Sequence, residues 1–210
     1  MFFDTMKDII GRTITGSHLW GMEEKGSDID YYVLYREPTY KILNGTSNSR
    51  NKHLFDTNTN GIVTDSQFYE IGHVVNLLIK GNINHIIGVC STLQAFSTDE
   101  FKELAYITRT NLSKNIYHSI NGLAKGNYEK FIKSSKENTL KKRNIITRTL
   151  QLGITLLERN TILFNATKDS TEDDILKLIS KLEVAYNESK LSEKPDEKPF
   201  RDWLLKARLM

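Results

Sequence analysis

Cysteine is nearly missing from this sequence: Cys90 is the only one in 210 residues. That excludes an intrachain disulfide and a zinc site built on a cysteine cluster, and it makes an intracellular protein the plain expectation. Long apolar runs are missing too. No uninterrupted stretch approaches the roughly 20 residues a helix needs to cross a bilayer. The N-terminus does not read as a basic leader followed by a long apolar core, so no signal peptide is expected. Strong charge of one sign is also lacking. Lys and Arg number 29 against 26 Asp and Glu, a net charge of +3. This balance permits a nucleotide or nucleic-acid ligand without arguing for one, because a chain-wide polyanion binder is more basic. What is present is an ordinary globular composition, with 39% hydrophobic and 10% aromatic residues, enough for a substantial core.

Periodicity separates the chain into an early part with strands and a later part with helices. Ile29 to Tyr35 reads as a central strand, with apolar groups on both faces, no breaker inside it and Pro38 after it. Arg12 to Thr15 reads as a shorter strand, preceded by a helix over residues 2–10 that Gly11 stops. Residues 44–61, rich in Asn, Thr, Ser and Gly, read as a long loop. Ile62 to Tyr69 is a further strand. Helical spacing then takes over through Ile71, Val74, Val75 and Leu78 until Gly81-Asn82 ends it. Residues 83–90 read as a short apolar helix or turn. Helices are expected over Asp99 to Thr108, Ser113 to Ile132, Leu140 to Glu158 and Thr171 to Glu188. A charged linker containing Pro195 leads to a closing helix from Phe200. The expected fold class is α+β, divided as 1–92 and 93–210.

The chemistry concentrates between Thr15 and Tyr35. Asp28 and Asp30 are one residue apart, a spacing that on a strand puts both side chains on one face. Paired carboxylates are oxygen ligands suited to a divalent cation. Gly16-Ser17, at the end of the preceding strand, offers a turn whose backbone can approach a phosphate closely. Nucleotidyl transfer needs a metal on the triphosphate, an ionised attacking hydroxyl and a held leaving group. Asp28 and Asp30 can supply the first of these. Asp65, the acid within the second apolar strand, is the candidate third carboxylate, with Glu70 in reserve. His18, beside the turn, is a candidate phosphate contact. Lys114, His118 and Lys125 lie on neighbouring faces of one helix and form a candidate basic wall.

Gly16-Ser17, a spacer of about ten residues and Ser27-Asp28-Ile29-Asp30 resemble the signature of the DNA polymerase β-like nucleotidyltransferase superfamily. Trp20-Gly21 brings the match closer to the branch of nucleotidyltransferases linked to RNA repair, with bacterial, archaeal and phage members. The resemblance continues through Asp65, Tyr69-Glu70-Ile71 and Leu77 to Asn82. It runs on through Ser113-Lys114, His118, Gly122 and Ala124-Lys125, then Lys141 to Arg148, and Ser189 to Asp196. It implies a small mixed-sheet nucleotidyltransferase core with flanking helices, followed by a helical region. It also implies that Asp28, Asp30 and Asp65 ligate Mg²⁺ (or Mn²⁺) and that Gly16 and Ser17 contact phosphate. The substrate implied is an NTP, with ATP named first, the acceptor RNA, tRNA or another hydroxyl, and the location cytoplasmic. Ile83 stands where the family commonly has Pro, and Gly72-His73 where it has a basic residue. Two alternatives stay open at this point: a non-catalytic relative that binds a nucleotide or a partner, and a nucleotidyltransferase of toxin or antitoxin type.

Overall fold

The computed structural model describes residues 9–46, 52–57, 61, 63–133 and 139–209. Five strands form one sheet: β1 (Ile9–Ile14), β2 (Ile29–Tyr35), β3 (Lys52–Thr57), β4 (Val63–Glu70) and β5 (Gln94–Ser97). Their order is β3-β4-β2-β1-β5. β2 and β4 run parallel, while β1 pairs antiparallel with both β2 and β5, and β3 antiparallel with β4. The sheet is therefore mixed, as expected, with the apolar strand β2 at its centre and Val33 and Leu34 fully buried.

By its contacts the chain divides into two units. The first comprises Met1–Ile79, Asn84–Thr110 and Asp196–Met210, and the second Lys80–Ile83 and Asn111–Pro195. The division drawn at residue 92 follows strand content, whereas grouping by contact leaves the last helix with the sheet. The helices of the first unit include the single turn α1 (Gly16–Leu19), α2 (Thr39–Leu43), α3 (Ile71–Ile79), α5 (Asp99–Thr110) and α9 (Glu197–Leu209). Most of α4 (Ile83–Cys90) also belongs to it. Trp203 of α9 is buried and donates its indole N–H to the Glu100 carbonyl, 2.9 Å away. Arg36 on the sheet side donates to the Ala207 carbonyl at 2.8 Å.

Several sequence expectations are corrected here. Most of the helix expected over residues 2–10 lies outside the described residues, but Ile9 and Ile10 open β1 instead. Pairing on both sides overrides the local helical signal there. Gly11 is not a helix stop: it admits the Phe101 ring, whose Cδ2 would lie 2.0 Å from an added Cβ. The loop expected over 44–61 contains β3. Its Lys-His-Leu-Phe-Asp-Thr sequence is too polar to announce a strand, and it is held as an edge strand by β4. β5 is four residues long and largely exposed, so it carries little apolar signal.

The second unit is built on α6 (Ile116–Asn127), α7 (Leu140–Arg159) and α8 (Glu172–Glu188). The helix expected from Ser113 begins at Ile116, after a tighter turn in which the Ile116, Tyr117 and His118 N–H groups reach back three residues, to the Ser113, Lys114 and Asn115 carbonyls, and it passes into a π-helical turn over Tyr128–Lys133. Ile120, Leu150 and Leu182 form its apolar centre. Gly153 lets α6 and α8 close on α7, since an added Cβ would meet Ile120 at 2.7 Å and Leu182 at 3.0 Å. Thr171 and Asp174 cap α8 reciprocally, satisfying the N–H groups that a helix start leaves open.

Candidate functional site

The cleft of interest forms where β1 hands over to α1 beside the start of β2. The Thr15 N–H donates to the Asp30 carbonyl at 2.8 Å, tying the two strands together at this point. The chain then turns at Gly16 with φ +58°, in the left-handed region. An added Cβ there would lie 1.6 Å from Asp30 Oδ2. Glycine is thus required twice, by backbone conformation and by the carboxylate pressed against it. Ser17 and His18 follow within α1. His18 Nε2 is buried and has no hydrogen-bond partner among the described residues, an unmet polar group next to the turn.

Asp65 reaches the same place from the neighbouring strand. In the parallel pairing of β2 and β4, Asp30 and Asp65 are register partners. Paired residues share a face, and adjacent strands are spaced by about 4.8 Å. Together with Thr15, Gly16, Tyr31, Tyr32 and Gln67 they line a cleft of about 210 Å³. His53 of β3 donates from Nε2 to Asp65 Oδ1. That pair is graded in exposure: 13% for the Asp65 side chain and 45% for His53.

Behind the carboxylates lies an aromatic floor. The Tyr32 and Tyr69 rings stack at 4.6 Å, and His85 stands edge-on to both at 5.8 and 4.9 Å. The Tyr69 hydroxyl donates to Gln67 Oε1. Tyr32 and His85 Nδ1 are hydrogen-bonded at 2.9 Å. Burial, followed by its neighbours Tyr69 and Cys90, raises the Tyr32 phenol well above its ordinary value. Tyr69 is raised by burial and then by the charge of Asp65. Burial, helped by His73, pushes the His85 imidazole down to about 4. At neutral pH the floor is therefore uncharged, and it confines charge to the carboxylate rim.

The other expected site residues lie elsewhere. Asp28 sits exposed just before β2 and does not line the cleft. Glu70, the reserve carboxylate, is engaged otherwise. It is buried, paired with Arg208 of α9, and accepts the Gly72 N–H at 2.7 Å and the His73 N–H at 3.3 Å at the start of α3. Lys114 belongs to the second unit, where Nζ pairs with Glu193 at 2.9 Å and lies 5.6 Å over the Tyr186 ring. Lys125 is exposed in that unit. Sequence reasoning missed His53, Gln67 and the aromatic floor. The alternation His-x-Phe within the supposed loop was the one available trace of β3.

The donor set suits a hard divalent cation, with carboxylate oxygens on adjacent strands and no thiolate near them. Among the described residues no group of three or more His, Cys, Asp or Glu side chains is placed to hold an ion. The three-carboxylate arrangement is thus not assembled by side chains alone. Two carboxylates remain, the usual protein share where Mg²⁺ is bound together with substrate phosphates.

The sequence matches, over residues 5–209, the model of the RNA repair pathway DNA polymerase beta family. A solved structure described as a nucleotidyltransferase-like protein, from Exiguobacterium sibiricum 255-15, is similar at 12% identity and a TM-score of 0.37, over 97% of this chain and 69% of its own. No curated protein matches the chain.

Proposed function

As the chain belongs to the RNA repair pathway DNA polymerase beta family, we propose that it is an enzyme that moves a nucleoside monophosphate from an NTP, ATP first, to a hydroxyl acceptor such as RNA or tRNA. The observation that carries this reading is the pairing of Asp30 with Asp65 across parallel strands, in a cleft whose rim is the Gly16 turn. No helix among the described residues is long and apolar enough to cross a membrane, and the proposal takes the reaction to be a cytoplasmic one.

In the proposed reaction the acceptor oxygen attacks the α-phosphorus. A new O–P bond forms, the bond from the α-phosphorus to the bridging oxygen breaks, and pyrophosphate leaves with that oxygen. Asp65 takes the hydroxyl proton, its second oxygen oriented by the His53 bond. Asp30 and Asp65 would hold Mg²⁺ or Mn²⁺. When bound, the metal draws off the charge of the triphosphate and eases ionisation of the acceptor. Gly16 and Ser17 bring backbone N–H groups toward phosphate oxygens, and His18 stands next to them in α1 as the remaining candidate phosphate contact. The neutral floor of Tyr32, Tyr69 and His85 keeps water and competing charge away from the rim.

The test is incubation with Mg²⁺, each α-labelled NTP and total RNA, comparing wild type with Asp30→Asn. The expected result is nuclease-sensitive label from the wild type alone. Label in neither protein with any NTP, with nucleotide binding unchanged by the substitution, contradicts the proposal.

A further inference from the structure

The edge strand β3 brings a second aromatic group to the carboxylates, and that group faces water. Phe55 is the register partner of Asp65, and His53 that of Gln67, so both project on the Asp65 face of the sheet. Phe55 remains 64% exposed. Its ring is not loose: it stands edge-on to the His53 ring at 4.3 Å, and His53 is itself held by Asp65. An oriented, exposed aromatic ring beside a phosphoryl-transfer carboxylate has little to gain from hydrogen bonding. Its flat apolar face matches another π-face.

The direction of the reaction says which ligand meets this ring. In displacement at phosphorus the attacking and leaving oxygens lie roughly in line, on opposite sides. On the reading above, the leaving pyrophosphate lies toward Gly16 and Ser17, which follow β1. The sheet order β3-β4-β2-β1-β5 sets β3 on the other side of Asp30 and Asp65. The attacking hydroxyl therefore arrives from the β3 side, past Phe55.

We propose that Phe55 is a stacking platform for the terminal nucleobase of the acceptor, which makes the acceptor an unpaired nucleic-acid end rather than a protein side chain. The proposal rests on the function proposed above. Stacking on one ring is tolerant of base identity, so the platform positions the acceptor's hydroxyl at Asp65 without reading its sequence.

The test uses a short single-stranded RNA ending in 3′-terminal 2-aminopurine, titrated without NTP, so that no turnover is needed. Wild type and Phe55→Trp quench the fluorophore as it stacks. Phe55→Ala, at unchanged Tm, binds roughly tenfold more weakly and quenches little. A parallel titration with 2-aminopurine riboside triphosphate separates the acceptor base from the incoming base. Equal binding and quenching by wild type and Phe55→Ala overturns the proposal, as does no RNA binding, or quenching confined to the triphosphate. An RNA with an abasic 3′ end binding as tightly as the intact one overturns it too. Phe55-dependent quenching in a chain that transfers no nucleotide would defeat the proposed function, and with it the acceptor role, while leaving Phe55 a stacking platform for an unpaired RNA end. Transfer to RNA with no such quenching would do the reverse.

Discussion

Asp65 and Glu70 lie on one strand, and from sequence either could have completed an acidic site. Asp65 stands at an open cleft, opposite Asp30, with a half-exposed histidine as its hydrogen-bond partner. Glu70 is buried against Arg208, a residue from the far end of the chain, and two of its acceptor positions serve the first turn of α3. The identity of the acid does not decide its use. A carboxylate whose lone pairs are consumed by a guanidinium and by backbone N–H groups is a structural anchor. One bonded on a single oxygen beside a second carboxylate keeps capacity for a cation or a proton.

The largest effect that sharpens this contrast is removal of the anchor's partner. Arg208→Ala strands a buried carboxylate and also loses the 2.8 Å bond to the Glu37 carbonyl. It is expected to cost roughly 4 kcal/mol in urea unfolding, while activity per folded molecule is unchanged. A fall in activity with native stability would break the comparison.

The aromatic floor separating the two ends gives the next effect. The His85 imidazole is held down to about 4 in the folded chain and titrates near 6.5 when unfolded. As pH falls the unfolded chain takes the proton first. Stability present above about pH 6.5 is therefore lost as pH falls toward 4, by roughly 3 kcal/mol in all. Unfolding curves across this range check the slope, and His85→Gln flattens it.

At the open end, Gly16→Ala drives a methyl group into the Asp30 carboxylate in a left-handed backbone position. Displacing the carboxylate by such an amount is expected to lower kcat/KM about 100-fold, measured on the label-transfer reaction. The smallest effect is a control in the second unit. Thr171→Ala removes the α8 cap and costs about 1 kcal/mol in thermal unfolding, with neither end of β4 altered.

How far the molecule is legible in its sequence follows from where each signal resides. β2, β4 and the main helices carry their own periodicity, and the acid pair between the Gly16 turn and an apolar strand marks this stretch as the candidate site. The Gly16 turn was readable as a turn, but the contact that makes it obligatory comes from Asp30, across a strand pairing. β3 was hidden because an edge strand needs no apolar alternation once its neighbour supplies the hydrogen bonds, and His53 and Phe55 were hidden with it. Glu70 looked available because its partner, Arg208, is brought to it only by tertiary folding. Asp28, equal to Asp30 by spacing, precedes the paired part of the strand and stays exposed, because the spacing of two acids does not say where strand pairing begins.

The most direct test of the account is label transfer from NTP by Asp65→Asn and Glu70→Gln, each compared with wild type at equal folded concentration. The account predicts a loss of about a thousandfold or more for Asp65→Asn at native stability. For Glu70→Gln it predicts near-normal transfer at reduced stability. Full activity in Asp65→Asn, or a dead Glu70→Gln with native Tm, would contradict it.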